Sequence, residues 1–482
     1  MTICEAVPKG RVVIIGGGIA GLAAAHALDA DSAAAGRSRD VTLIEAGPRL
    51  GGNLVTQHYQ GFIIDGGPDS WVAAKPHASQ LARAVGLGNE LIGTNPQTRK
   101  VYIVWNRQLH VMPEGSVLGI PTEWAPFAKT ELLDWAAKAR AGLDLIVPKR
   151  EWHGDEDESI ASFVTRRLGS DITERLAGPL LGGVFAGTAE SLSVRACMPP
   201  LVEAERTHGS LILAMRAMRA ARAVTAAGKE GGEASAFTSL ERGVGDFVLN
   251  VAHRLKRADV STGVAAKTIA RLPVGDGRGR WAVDTTRGTL FADDVVLTVP
   301  ANTAGRLLRD VDPSLASTLG TFDYASTATV FLAYRRADVR HPLDAVGFLV
   351  PRAENRPILA GTFVSSKWKN RAPAGQVLIR LFFGGVGNEA VLAHDDEELA
   401  LIAREQLLDL IGLDRPPTFA RVFRFTGASP QPHVGHIGRM NKVLATIASY
   451  PGLHAGGNGY VGTGIPDAVK QGQAIGERIR SS

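Results

Sequence analysis

The sequence predicts an α/β protein: a Rossmann-like dinucleotide-binding unit that carries a mixed-sheet unit and a mostly helical unit. Three observations support this. Residues 12–52 read strand, glycine turn, helix, strand, acid, the order of a dinucleotide site. Residues 126–225 carry mostly helical periodicity, and strands return from Phe237 onward. A second glycine turn, residues 460–464, leads through Pro466 into a closing helix, so the chain leaves the first unit and comes back to it.

The first turn can be read residue by residue. Val12, Val13, Ile14 and Ile15 form an apolar strand that enters the turn GGGIAG at 16–21. Gly16 permits the tight bend, Gly18 lets a pyrophosphate approach the backbone, and Gly21 lets helix and strand pack closely. The helix N-terminus offers unpaired N–H groups and a partial positive charge to phosphates. The strand 41–44 ends in Glu45, 24 positions after Gly21, where a carboxylate can accept ribose hydroxyls. Next come Ala46, Gly47, Pro48, Arg49, Leu50, Gly51 and Gly52. An arginine can answer pyrophosphate charge, and paired glycines can lie against a cofactor without clash. This second turn resembles the extended flavin fingerprint, and an NAD site would not need it. The alternative, a glycine-rich turn with no ligand, leaves the flanking strand, helix and acid unexplained.

Length and composition set the bounds. The 482 residues suit about three domain-sized units. Hydrophobic content of 45% and charged content of 21% fit a protein with a substantial core. A net charge of +5, with no basic tail, gives no argument for nucleic acid. Cys4 and Cys197 make neither a disulfide framework nor a metal-ligand spacing, so no metal is expected and a reducing cytoplasm fits. The N-terminal residues lack a signal-peptide layout, and no run of ~20 apolar residues predicts a membrane span.

The rest follows in order. Residues 62–65 read as a strand and 66–70 as a loop, either bordering the cofactor or making an ordinary turn. A short helix is expected over 78–85. Strand alternation over 99–105 sets Arg99, Val101 and Ile103 on one face. Arg99 reads either as a surface ion-pair residue or as an anchor for a substrate carboxylate. Helices are expected over 130–147, 160–168 and 172–181, with Glu156, Asp157 and Glu158 as a solvated acidic lead-in. Residues 209–224 set Leu211, Ile212, Met215 and Met218 beside Arg216, Arg219 and Arg222. This is a core helix with a basic outer face or, alternatively, a membrane-surface helix. Residues 225–235 read as an exposed loop. Strands over 260–269, 281–285 and 295–299 return to the first unit, and strands over 330–333, 348–350 and 377–383 with a helix over 397–411 form the second. The expected division is 1–75, 236–305 and 425–482 for the dinucleotide-binding unit. Residues 76–110 and 306–424 form the substrate unit, and 111–235 the helical one.

With these motifs in place, the chain resembles the protoporphyrinogen oxidase family, of the soluble bacterial type, within the amine-oxidase-like FAD superfamily. The likeness rests on GGGIAGLAAA (16–25), EAGPRLGG (45–52), GGPDSW (66–71), LGIPT (118–122), GGVFAGTAESLSVRA (182–196), SKWKNRAP (366–373), PQPHVGH (430–436) and GNGYVGTGIPDAV (457–469). It implies an FAD-binding domain of the GR2/p-hydroxybenzoate-hydroxylase-like type. FAD contacts are then implied at Gly16, Gly18, Ile19, Ala20, Gly21, Glu45, Ala46, Arg49, Gly51 and Gly52. They extend to Gly67, Pro68, Asp69, Ser70, Val264, Phe425, Gly464 and Ile465. Substrate contacts are implied at Arg99, Gly183, Leu349 and Trp368, with Lys75 and Lys367 as weaker cations. Thr188, Val244 and Pro432 depart from the usual pattern.

The implied reaction oxidises protoporphyrinogen IX to protoporphyrin IX in haem biosynthesis. It removes six electrons in three two-electron rounds, each passing hydride to the flavin and then electrons to oxygen, with hydrogen peroxide formed. No catalytic side chain is expected. The alternatives are coproporphyrinogen III as substrate, a flavin amine oxidase or carotenoid desaturase on the same fold, and a non-catalytic flavin-binding protein. A homodimer is allowed, and peripheral membrane contact is allowed by the amphipathic stretch 209–224.

Overall fold

A computed structural model describes residues 10–29, 39–227, 235–273 and 277–482. Cys4 and most of the loop expected over 225–235 lie outside the described residues.

The returning chain builds a five-stranded parallel sheet in the order Asp259–Thr262, Asp40–Glu45, Arg11–Ile15, Asp294–Leu297, Leu453–Ala455. Both faces are covered, which is why the inner strands Arg11–Ile15 and Asp294–Leu297 read as nearly continuous apolar runs. Val12 and Ile14 point into one core, and Val13 and Ile15 into the other. The first core holds helices Ile19–Asp29, Gly245–Arg254 and Ile465–Ser481. The second lies under an antiparallel meander, Ala266–Arg271, Trp281–Thr285 and Gly288–Ala292. Helices Ile19–Asp29 and Ile465–Ser481 meet through small residues. A Cβ at Gly472 would stand 2.1 Å from Ala20 O, and one at Gly476 2.7 Å from Ala24 O. Only glycine permits this approach.

A seven-stranded mixed sheet stands beside it. Its order is Phe419–Pro430, Tyr324–Arg335, Gln376–Gly384, Ile358–Phe363, Ala345–Leu349, Lys100–Trp105, Gln108–Val111. All pairs are antiparallel except Ala345–Leu349 with Lys100–Trp105. Helix Asp396–Ile411 closes one face, capped at Asp395 by reciprocal bonds with Glu398.

Helices between 124 and 227 share a third core. A fully buried ion pair ties it together. Arg167 Nε donates to Asp144 Oδ1 at 2.6 Å, and Asp144 Oδ2 accepts from Ser210 Oγ and from Ile212 N–H. The same aspartate therefore neutralises the arginine and satisfies an amide at the start of helix Leu211–Ala227.

Several expectations are corrected. Helix Pro76–Ala84 and helices Ala301–Leu307 and Pro313–Gly320 pack on the parallel sheet, so the unit boundaries near 76 and 305 move. Residues 425–430 continue a strand of the wide sheet. The helix expected over 130–147 begins only at Trp135, because Asp134 caps it by accepting from Ala137 N–H. Glu158 is not solvated: it is buried and bonded to Arg166 and Ser162. Among helix arginines, Arg216 donates to Thr122 O, and Arg219 pairs with Glu123. These contacts favour the core reading of that helix. No helix among the described residues is long and apolar enough to cross a membrane.

Candidate cofactor and substrate site

At the carboxyl end of Arg11–Ile15 the chain turns through Gly16, whose φ of 112° suits glycine. A Cβ on Gly21 would stand 2.0 Å from Gly16 O, so helix and turn are in contact. Helix bonding begins at once, with Leu22 N–H donating to Gly18 O. The second turn is laced onto the first: Gly51 N–H donates to Gly17 O at 2.8 Å, and Gly18 and Gly51 form a parallel bridge. Glu45 bridges both turns, accepting from Gly17 N–H and Gly47 N–H at 2.7 Å each. Its first service is therefore to organise the backbone.

Gly18 is different. Its backbone is not left-handed, and a Cβ there would meet nothing within 4 Å. Neither strain nor packing requires glycine at that position. Across the gap stands Gly52, whose added Cβ would face Gly18 Cα at 3.6 Å. Two glycines thus border a space that side chains would fill. Asn458 follows the last parallel strand, and its Oδ1 is buried without a hydrogen-bond partner. An open glycine cradle and an orphaned acceptor at the carboxyl ends of parallel strands fit a dinucleotide. Sequence reasoning passed over Asn458; its signal was a polar residue inside a glycine turn.

The other expected cofactor residues are placed as follows. Ile19 and Ala20 are buried at the helix start, and Ala46 is exposed in the second turn. Arg49 folds back on its own loop, donating to Gly52 O at 2.7 Å and to Leu54 O. Val264 N–H is spent on Glu45 O, so the backbone group it offers is the carbonyl. Gly464 N–H donates to Asp467 Oδ2, and Ile465 opens the last helix, with Lys75 paired to Asp467 at 2.7 Å.

The loop 66–70 is held from beneath by charge. Arg380 is buried and donates to Gly66 O and Gly67 O at 3.2 and 2.7 Å, while Thr329 Oγ1 also donates to Gly66 O. Burial pushes the Arg380 guanidinium down to about 10. Asp69 accepts from Lys367 Nζ, Trp368 Nε1 and Ser70 Oγ. Burial drives its carboxyl upward, but the Lys367 and Arg380 cations outweigh this and hold it well below the usual range. Phe425 lies over the loop, its ring carbon 3.4 Å from where a Gly67 Cβ would be. Pro68 is exposed at the loop's outer side.

The substrate residues are more scattered. Leu349 is half-buried, pairs with Ile103, and packs against the helical core. Arg99 is exposed just before Lys100–Trp105, with its Nε donating to Pro96 O. It sits four residues along from Ile103, about 13 Å at the rise of a strand. Gly183 lies near the end of helix Gly178–Val184, and a Cβ there would meet nothing within 4 Å. Trp368 is fully buried beneath the wide sheet, its N–H committed to Asp69. It shapes the 66–70 loop and presents no surface of its own. Lys75 and Lys367, the weaker cations, are both committed to aspartates.

Fold and site together define an FAD-dependent oxidoreductase. The chain belongs to the flavin containing amine oxidoreductase family, whose sequence profile matches residues 19–479. It is 35% identical to the coproporphyrinogen III oxidase of Bacillus subtilis (strain 168), over 97% of both chains. It is 31% identical to the coproporphyrinogen III oxidase of Staphylococcus aureus (strain NCTC 8325 / PS 47), covering 97% of this chain and 98% of that one. Among solved structures, the Exiguobacterium sp. 255-15 protein, provisionally described as a protoporphyrinogen oxidase, superposes with a TM-score of 0.85 at 32% identity. That match covers 99% of this chain and 100% of the other.

Proposed function

We propose that this chain oxidises a porphyrinogen to the porphyrin, protoporphyrinogen IX to protoporphyrin IX, with oxygen as acceptor and hydrogen peroxide as product. The observation that carries the substrate class is end-to-end likeness to enzymes named for porphyrinogen oxidation. FAD supplies two-electron acceptance when bound. The chain supplies position. Gly18 and Gly52 leave room for the pyrophosphate, and Asn458 offers an acceptor. Leu349 and the open face at Gly183 border the macrocycle. Arg99 offers a two-donor fork to a propionate. The buried Asp69–Lys367–Trp368 group fixes the loop beside the flavin. No side chain is assigned as a base. The names of the relatives favour a second substrate for the same chemistry, coproporphyrinogen III. The ties of Arg216 and Arg219 to residues 122–123 support the core reading of helix Leu211–Ala227 over a membrane-surface one.

The test is direct. Flavin-loaded protein receives protoporphyrinogen and coproporphyrinogen separately, and porphyrin fluorescence is followed with oxygen uptake. Porphyrin formation at a rate above autoxidation supports the reading, and the ratio of kcat/KM values ranks the substrates. Turnover of amines or carotenoids with no porphyrin formed would overturn it.

A further inference from the structure

Three consecutive carbonyls in the turn after helix Gly178–Val184 are each held by a different part of the molecule. Phe185 O accepts from Gln431 Nε2 at 2.9 Å. Ala186 O accepts from Val386 N–H at 2.9 Å. Gly187 O accepts from Arg352 Nη2 at 3.2 Å, and the same nitrogen also donates to Val386 O at 2.6 Å. The turn itself is strained: Ala186 is a non-glycine residue at φ 52°. A left-handed alanine persists only where the surroundings over-determine it, and three external donors do that here.

Gln431 is the central piece. It is buried, and it follows directly on the strand Phe419–Pro430, which carries Phe425 over the 66–70 loop. Its amide also donates to Ser429 O, and its Oε1 would stand 2.5 Å from a Cβ on Gly187, so the Gln431 side chain packs closely on the turn. Neighbouring bonds extend the seam. Ser193 N–H donates to Pro432 O, and Val434 N–H to Ser191 O. The segment 430–436 thus fastens the turn that follows the Gly183 helix to the strand beside the flavin loop.

We propose that Gln431 is a positioning residue that sets the substrate-facing helix against the flavin-side strand, with Arg352 as the second arm of the clamp. The inference rests on the porphyrinogen reading, because Gly183 faces substrate only under it. Gln431→Met keeps the volume and removes both donors. In stopped-flow with the holoenzyme, porphyrinogen should reduce the flavin of this variant on the order of ten- to a hundredfold more slowly, the scale of a small misplacement of reacting groups. Flavin content and reoxidation of chemically reduced enzyme by oxygen should match the wild type. Arg352→Met should act in the same direction, and Arg352→Lys, which keeps a cationic donor, should recover most of the rate. Equal reduction rates in wild type and both Met variants would overturn the clamp alone. Loss of flavin, or equal slowing of both half-reactions, would show a general structural role and overturn it too. A wild-type flavin that porphyrinogen does not reduce would overturn the functional reading and this inference with it.

Discussion

The two halves of the site are built in opposite ways. The cofactor cradle draws its first parts from residues 16–21 and 45–52, and the bonds that lace its two turns together are made among those residues. The proposed substrate face would take Arg99 from the lead-in to one sheet strand, Leu349 from another and Gly183 from a helix, and the turn after that helix is held by donors as distant as Gln431 and Arg352. Local constraints act through sterics at a single atom. Distributed constraints act through many bonds, each modest. Substitutions in the cradle should therefore be all-or-none, and those on the substrate face graded.

Gly21→Val should have the largest effect. Its Cβ would meet a backbone carbonyl, so the loss should exceed the ~1–3 kcal/mol usual for overpacking. Recovery of soluble protein and the melting temperature check it. Gly18→Val, three residues away, should instead fold and purify colourless, with an apoprotein melting temperature near that of wild-type apoprotein. A yellow Gly18→Val protein with full flavin would erase the distinction between the two glycines. Breaking the buried pair with Arg167→Leu should cost about 3–5 kcal/mol by denaturant unfolding, since buried Asp144 loses its cationic partner. Flavin affinity should survive in the folded fraction.

The graded side follows. Arg99→Ala should keep flavin and fold and raise KM by the equivalent of about 1.5–3 kcal/mol, with kcat little changed if the arginine binds ground and transition states alike. Unchanged kinetics at full flavin occupancy would remove the anchor. The smallest effect is in pH. Burial holds the His436 imidazole below its ordinary value of 6.5, with the Tyr460 carbonyl partly opposing this. The unfolded chain then binds the proton more readily, so stability falls as pH drops below 6.5 toward the folded value. The slope is at most about 1.4 kcal/mol per pH unit for one proton. His436→Gln should flatten the curve in part, because His26 and His341 are also held low by burial.

This contrast explains what the sequence made legible. The parallel sheet, the roles of Gly16 and Gly21 and the return of the chain were readable, because adjacent residues set them. Glu45 was recognised as a carboxylate, yet its bonds to Gly17 and Gly47 depend on the second turn folding back. Glu158 read as solvated because Arg166 and the core around it come together only in three dimensions. Trp368 shows the same limit from the other side. Its alignment with a substrate position gave no sign of the Asp69 bond that keeps it buried. The unit boundaries moved because helices 301–307 and 313–320 follow a strand of one sheet and precede a strand of the other. Periodicity does not say which sheet a connecting helix covers.

Gly472 and Gly476 seat against Ala20 and Ala24, so the glycine turn emerges from the ribosome hundreds of residues before the helix that backs it. The strand Leu453–Ala455, at the edge of the same sheet, is made equally late. A nascent chain that has passed residue 52 carries both flavin turns and only part of their support. The cradle is thus complete only once the last helix has been made. A chain stopped before residue 465 would carry the fingerprint without the helix that backs it.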